Sequence, residues 1–181
     1  GKRAREGIGM QLHPDEPLII EGIHALNPML LNDDIDRDKL FRVYVSALTT
    51  LNIDDHNRIH TTDARLLRRL VRDYETRGAS MEHTLSMWPS VRRGEEKWIF
   101  PYQENADALF NTTLVYEVSV LKKYVYPLLQ EVPKESPCYA AARDITKVLN
   151  YFLDADGIED EIPPTSILRE FIGGCTFYRK D

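Results

Sequence analysis

Arg65, Arg68, Arg69 and Arg72 fall at i, i+3, i+4 and i+7, so a helix through this stretch carries four guanidinium groups on one face. Leu66, Leu67, Leu70, Val71 and Tyr74 take the other face and supply an apolar underside. Like charges at this spacing repel by about 0.2–0.5 kcal/mol per pair unless an anion or a counter-charge lies between them. The guanidinium fork suits phosphate oxygens in particular, so the pattern reads as a phosphate clamp built on a helix. Asp73 and Glu75 are close enough in sequence to neutralise part of it, and a solvated Arg-rich face is the plainer alternative.

The charge balance around the stripe favours a ligand. Residues 58–97 hold nine Lys or Arg and six acids, about +3, within a chain of formal charge −6. A locally basic stretch on an acidic protein focuses a small anion. A nucleic-acid surface calls for a basic domain overall, so a polynucleotide partner is not expected. At 181 residues, with 43% hydrophobic and 29% charged content, the chain suits one soluble globular domain with a real core. Apolar runs are only a few residues long, which speaks against a membrane span. Cys138 and Cys175 form neither a disulfide framework nor a metal pattern, and a cytoplasmic setting is the default.

The elements that must position the stripe read as α/β with parallel pairing. Strands are expected at Pro17–Ile20, ending in Glu21, then at Phe41–Ser46 and Ala106–Asn111. A short helical turn is expected at Pro28–Leu31, before an acidic loop at 32–38. Helices are expected at 63–77, capped by Thr62 or Asp63 and closed by Gly78, and at 80–88, followed by a loop through Pro89, Gly94 and Pro101. Two long helices at about 115–130 and 137–153 follow, and a short one at 165–172 stops at Gly173-Gly174. No internal repeat stands out. His56 and His60 are spaced for a shared metal but lack a third ligand, Trp88 and Trp98 read as packing residues, and Arg169 reads as a surface ion-pair partner.

The ordered series PLIIEGIHALNP, RVYVSA, DDHNRIHTTDARLLRRLVRDYETRG and SMWPSVRRGEEKWIFPYQENADALFN resembles the uridine kinase/phosphoribulokinase family of P-loop kinases. It is most similar to the bacterial branch of uridine-kinase-like nucleoside kinases. The most specific parts are the R-x-x-R-R-x-x-R-D run ending in Arg77-Gly78 and the later Ala106-Asp107. The resemblance implies a partial P-loop kinase fold: a parallel sheet with flanking helices, an Arg-rich helical lid over about 54–100, and a helical C-terminal region over about 113–181. It implies ATP and Mg²⁺ as cofactors, a nucleoside as substrate, and transfer of the γ-phosphate to its 5′-hydroxyl. By the same likeness Arg65 faces the nucleoside sugar or the moving phosphoryl group, and Arg68, Arg69 and Arg72 bring lid charge to the triphosphate. His83 takes a substrate-contacting place, Asn111 and Thr112 lie near the adenine pocket, and Glu21 acts at the metal.

One departure shapes the expectation. The G-x-x-x-x-G-K-[ST] loop that cradles the β- and γ-phosphates is absent, and the sole Gly-Lys is Gly1-Lys2. The chain therefore reads as the C-terminal portion of a longer kinase, binding ATP weakly and not turning over alone. Its unpaired sheet edge would then be open to a second copy. The competing reading is a non-catalytic, anion-sensing or RNA-associated module. Phosphorylation of a sugar phosphate is a third, within the kinase class.

Overall fold

The computed structural model describes residues 9–31 and 35–177. Two strands, β1 (Val43–Ser46) and β2 (Ala108–Asn111), pair in parallel, with Val43 opposite Ala108 and Ser46 opposite Asn111. Parallel neighbours need a long crossover. Here it is a helical hairpin of α1 (Thr61–Arg77) and α2 (Met81–Trp98), followed by a 3₁₀ turn at Phe100–Asn105. Beyond β2 come α3 (Glu117–Gln130), α4 (Tyr139–Leu149) and the single turn α5 (Arg169–Ile172). The α/β class with parallel pairing holds, as a two-stranded sheet among the described residues.

The helices follow their apolar stripes. Leu66, Leu67, Leu70 and Val71 on α1 pack against Val118, Leu121 and Val125 on α3, while Ile145 and Leu149 of α4 close the core from behind. Each such side chain contributes about 1.5–3 kcal/mol on burial. The helix expected to act as a lid is thus also the central helix of the core, although Tyr74 on its underside stays exposed. It starts at Thr61, with His60 at the N-cap position making no side-chain cap, rather than with Thr62 or Asp63 as cap. It ends, as expected, at Gly78 in the left-handed region (φ 62°), where the Gly78 N–H bonds the Asp73 carbonyl.

Four expectations need correction. Residues 17–20 form no strand: Leu18, Ile19 and Ile20 are exposed, Ile19 at 88%. A four-residue apolar run is held as a strand only by a hydrogen-bonded neighbour, and among the described residues none pairs with it. The second helix runs past Pro89 to Trp98 instead of stopping at 88. Proline removes one backbone bond from the helix. Beyond it, Arg92 bonds Glu95 (3.0 Å) and Glu96 (3.1 Å), and Arg65 bonds Glu95, which hold the second half in place. The helix expected at 165–172 is only the turn 169–172, preceded by a Pro-initiated turn.

The fourth correction is Arg169, which follows a turn whose local structure occurs twice. Residues 132–138 and 162–168, thirty positions apart (136 and 166), share turn geometry and burial. Val132 matches Ile162 and Cys138 matches Leu168, all buried. Ser136 N–H donates to the Pro133 carbonyl (3.0 Å) and Ser166 N–H to that of Pro164's neighbour Pro163 (2.9 Å). The Ser136 and Ser166 hydroxyls accept from the N–H two residues on, at 3.2 and 3.3 Å. The likeness lies in the Pro-x-x-Ser frame, and the side chains around it differ enough to hide it in sequence. Arg169 does not form the expected ion pair; its guanidinium donates to the main-chain carbonyls of Glu159 (2.6 Å) and Ile162 (2.7 Å). The same loop is tied to α3 by Lys123, whose hydrogen bond holds the Glu159 carboxyl below its ordinary pKa and raises that of Lys123 in turn.

Two glycines on the hairpin should respond to alanine with opposite signs. Gly78→Ala places a Cβ at positive φ and should cost about 1 kcal/mol, lowering Tm by about 2–4 °C. Gly94 sits inside α2 with open space where a Cβ would go, so Gly94→Ala should raise stability by about 0.5–1 kcal/mol. Calorimetric melting of the two variants checks both signs.

Candidate functional site

A cleft of about 580 Å³ opens where the two parallel strands end. Its floor is Ser46 at the end of β1, Ala47 just after it and Thr112 after β2, the carboxyl ends where open α/β sheets bind ligands. The α1 face brings all four arginines of the stripe to one side, and Trp88 and Trp98 of α2 form an apolar wall. Trp88 packs against the core as expected, and both tryptophans also line the site. His24, just beyond Glu21, reaches the mouth.

Each arginine meets a carboxylate from a different place in the chain. Arg65 bonds Glu95 of α2, whose carboxylate also accepts from Arg92. Arg69 lies 3.1 Å from Asp73, one turn on in α1, and Arg72 lies 3.3 Å from Glu170 of α5. Arg68 is 9% exposed; it bonds the Glu117 carboxylate at the start of α3 and the Thr112 carbonyl (2.9 Å), with Phe171 at 5.6 Å from its guanidinium carbon. Glu117 is itself 1% exposed, and its second oxygen accepts nothing. On all four arginines the Nε–H is buried without a hydrogen-bond partner in the protein; that of Arg69 lies near Asp73 but out of line for a bond. The stripe is therefore offset only in part, since Asp73 also pairs with Arg77 and Glu95 with Arg92. That combination accepts an anionic oxygen without standing as four bare charges before it arrives.

The other candidate residues divide. Thr112 lines the cleft. Asn111 lies one residue away and acts as a clasp: its amide oxygen accepts from Leu48 N–H (2.9 Å) and Thr113 N–H (3.0 Å), and its amide nitrogen donates to the Leu48 carbonyl (3.0 Å). His83 is exposed in the first turn of α2, away from the cleft's lining. Glu21 is exposed and lines no part of the cleft. Among the described residues no three His, Cys, Asp or Glu side chains gather as metal ligands, so the residues present do not by themselves fit a Mg²⁺ site. His56 and His60 share no such group either. Glu117, Glu95 and Glu170 were missed. The signal was the unbalanced stripe itself, which demands counter-charge, but nothing in the sequence says which acids fold back to give it.

Arg68 and Glu117 should behave as a structural pair. Arg68→Met or Glu117→Gln leaves a buried partner uncompensated and should cost about 3–5 kcal/mol, whereas Arg68→Met/Glu117→Leu should recover much of that loss. Arg65→Ala, at a partly exposed pair, should cost under about 1 kcal/mol. Urea unfolding of the four variants separates the two classes.

The geometry agrees with what the chain is similar to. The profile of the Phosphoribulokinase / Uridine kinase family matches residues 9–119. Uridine kinases of Staphylococcus aureus strains JH9, Newman and JH1 are each 31% identical over 106 residues, covering 58% of this chain and 43% of the relative. The chain thus spans under half the length of the curated relatives it matches. No solved structure matches it. Among the described residues no helix is long and apolar enough to cross a membrane. With more than half of its length matched by the family profile, and the arginine cleft at the ends of parallel strands, the chain belongs to the phosphoribulokinase/uridine kinase family.

Proposed function

We propose that this chain is the C-terminal portion of an ATP-dependent nucleoside kinase that phosphorylates the 5′-hydroxyl of uridine, cytidine or a related nucleoside. The observation that carries this reading is the convergence of Arg65, Arg68, Arg69 and Arg72 on one cleft at the carboxyl ends of the strands. ATP supplies the phosphoryl group. Arg65, Arg69 and Arg72, each partly exposed, offer donors to its anionic oxygens and to the charge that builds on the transferred group. Arg68 works from behind: pinned by Glu117 and the Thr112 carbonyl, it fixes α1 against the end of β2. Trp88 and Trp98 keep one wall apolar and help exclude water, the competing acceptor. No step is assigned to Mg²⁺ through Glu21, which stands alone and exposed.

The charge balance of the cleft favours a nucleoside over a sugar phosphate as acceptor. Glu95 and Glu170 lie in the lining beside the four arginines and offset about half of their charge, which weakens the field left for a second anion. Carboxylates there accept hydrogen bonds from neutral sugar hydroxyls.

The test is a kinase assay on the longest natural form of the protein, with ATP and a panel of nucleosides and phosphorylated sugars. Nucleoside monophosphate should form from a pyrimidine nucleoside, and Arg65→Ala should lower kcat by on the order of 10³-fold. Absence of product from every nucleoside would overturn the reading, and product from a sugar phosphate alone would move it to the other branch of the family.

A further inference from the structure

Part of the cleft's lining comes from beyond the family match, which ends at residue 119. Ile167, Glu170 and Phe171 line it, the first in the second copy of the Pro-x-x-Ser turn and the other two in α5, which follows it. The two copies do different things at equivalent places. In the first, Ser136 bonds Glu82 at the start of α2 and braces that helix, while Ala140 and Ala141 stand where the second has Glu170 and Phe171. In the second, Phe171 is buried against Arg68, and Glu170 presents its carboxylate to Arg72 at 3.3 Å. The frame is held rigidly, because Arg169 is bonded to the carbonyls of Glu159 and Ile162. Glu170 is therefore placed by a fixed turn, not by a loose tail.

We propose that Glu170 is a specificity-determining residue of the cleft: its carboxylate sits on Arg72 as an internal stand-in for the ligand's anionic oxygen and must yield when a polyphosphate enters. This deepens the kinase reading and rests on it. A carboxylate oxygen and a phosphate oxygen compete for the same guanidinium donors, and only the more strongly held anion stays. The pair suits such exchange. Both side chains are about a third or more exposed, and a pair of this kind is worth little enough to be displaced. By contrast, the Arg68–Glu117 pair beside it is buried and stays closed. Singly charged anions then gain little at the site, whereas a polyphosphate that also reaches Arg65 and Arg69 prevails. The C-terminal segment thereby sets a threshold for what the arginines accept.

The experiment is calorimetric titration of the 181-residue chain with inorganic tripolyphosphate at low salt. Glu170→Gln keeps the shape and removes the competing charge, and should tighten binding about two- to fivefold. In an Arg72→Gln background the same change should have no effect, since the competition has lost its object. Asp144→Asn, which removes an exposed carboxylate on α4 away from the cleft, should leave affinity unchanged. Equal affinity of Glu170→Gln and the parent chain overturns the proposal. So does a gain that persists without Arg72, which would mark a general charge effect. If the parent binds and Arg65→Ala weakens it while Glu170→Gln changes nothing, the inference about Glu170 fails and the cleft stands. If neither protein binds tripolyphosphate, both fail.

Discussion

Four arginines on one helix face cannot be set against a protein's interior without counter-charge, and much of this structure is organised around supplying it. The carboxylates come from α1 itself (Asp73), from α2 (Glu95), from α3 (Glu117) and from α5 (Glu170). Helices distant in sequence are thus drawn to one face by the same electrostatic need. The apolar underside of α1 packs on α3 at the same time, so charge balance and core packing specify the same arrangement. The pairs are graded by burial. Arg68–Glu117 is closed off, Arg65–Glu95 sets a partly exposed guanidinium on a buried carboxylate, and Arg72–Glu170 is the most open of the three.

That grading changes how the cleft works. A clamp of bare guanidiniums would bind any anion and would repel itself when empty. Here carboxylates stand among the guanidiniums, and on the proposed reading selectivity comes from how many donors a ligand reaches at once and which carboxylates it displaces. The match to the family profile ends at residue 119, but part of the cleft's lining comes after that point, from a segment whose turn has the geometry of the one that opens α4. The same turn geometry, carrying different side chains, brings a carboxylate and a phenyl ring to the site.

What was legible in the sequence follows from what is local. The spacing of Arg65 to Arg72, the leucines beneath them and Gly78 as a left-handed stop all rest on helix period or backbone freedom, and all are where they were expected. Strand β2 was legible from its apolar run, and its parallel pairing with β1 from the alternation of strands and helices. The apolar run at 17–20 misled, because its period says burial while its structure depends on a neighbour that local sequence does not contain. Pro89 misled in the other direction, since its local effect was outweighed by ion pairs along the second half of α2. Glu117 and Glu170 could not be found at all: an acid 49 or 98 residues away in sequence carries no mark of the arginine it will meet. His83 and Glu21, carried over from the family likeness, stand outside the cleft's lining.

The four arginine Nε–H groups allow the most direct test of the central claim, because each gives its own side-chain resonance in a ¹⁵N–¹H spectrum. On titration with ATP, the signals of Arg65, Arg69 and Arg72 should move together and saturably, while that of Arg68, locked to Glu117 and Thr112, should stay in place. If none of the three moves, or if ATP shifts residues elsewhere and leaves the stripe untouched, the cleft is not where the phosphates go.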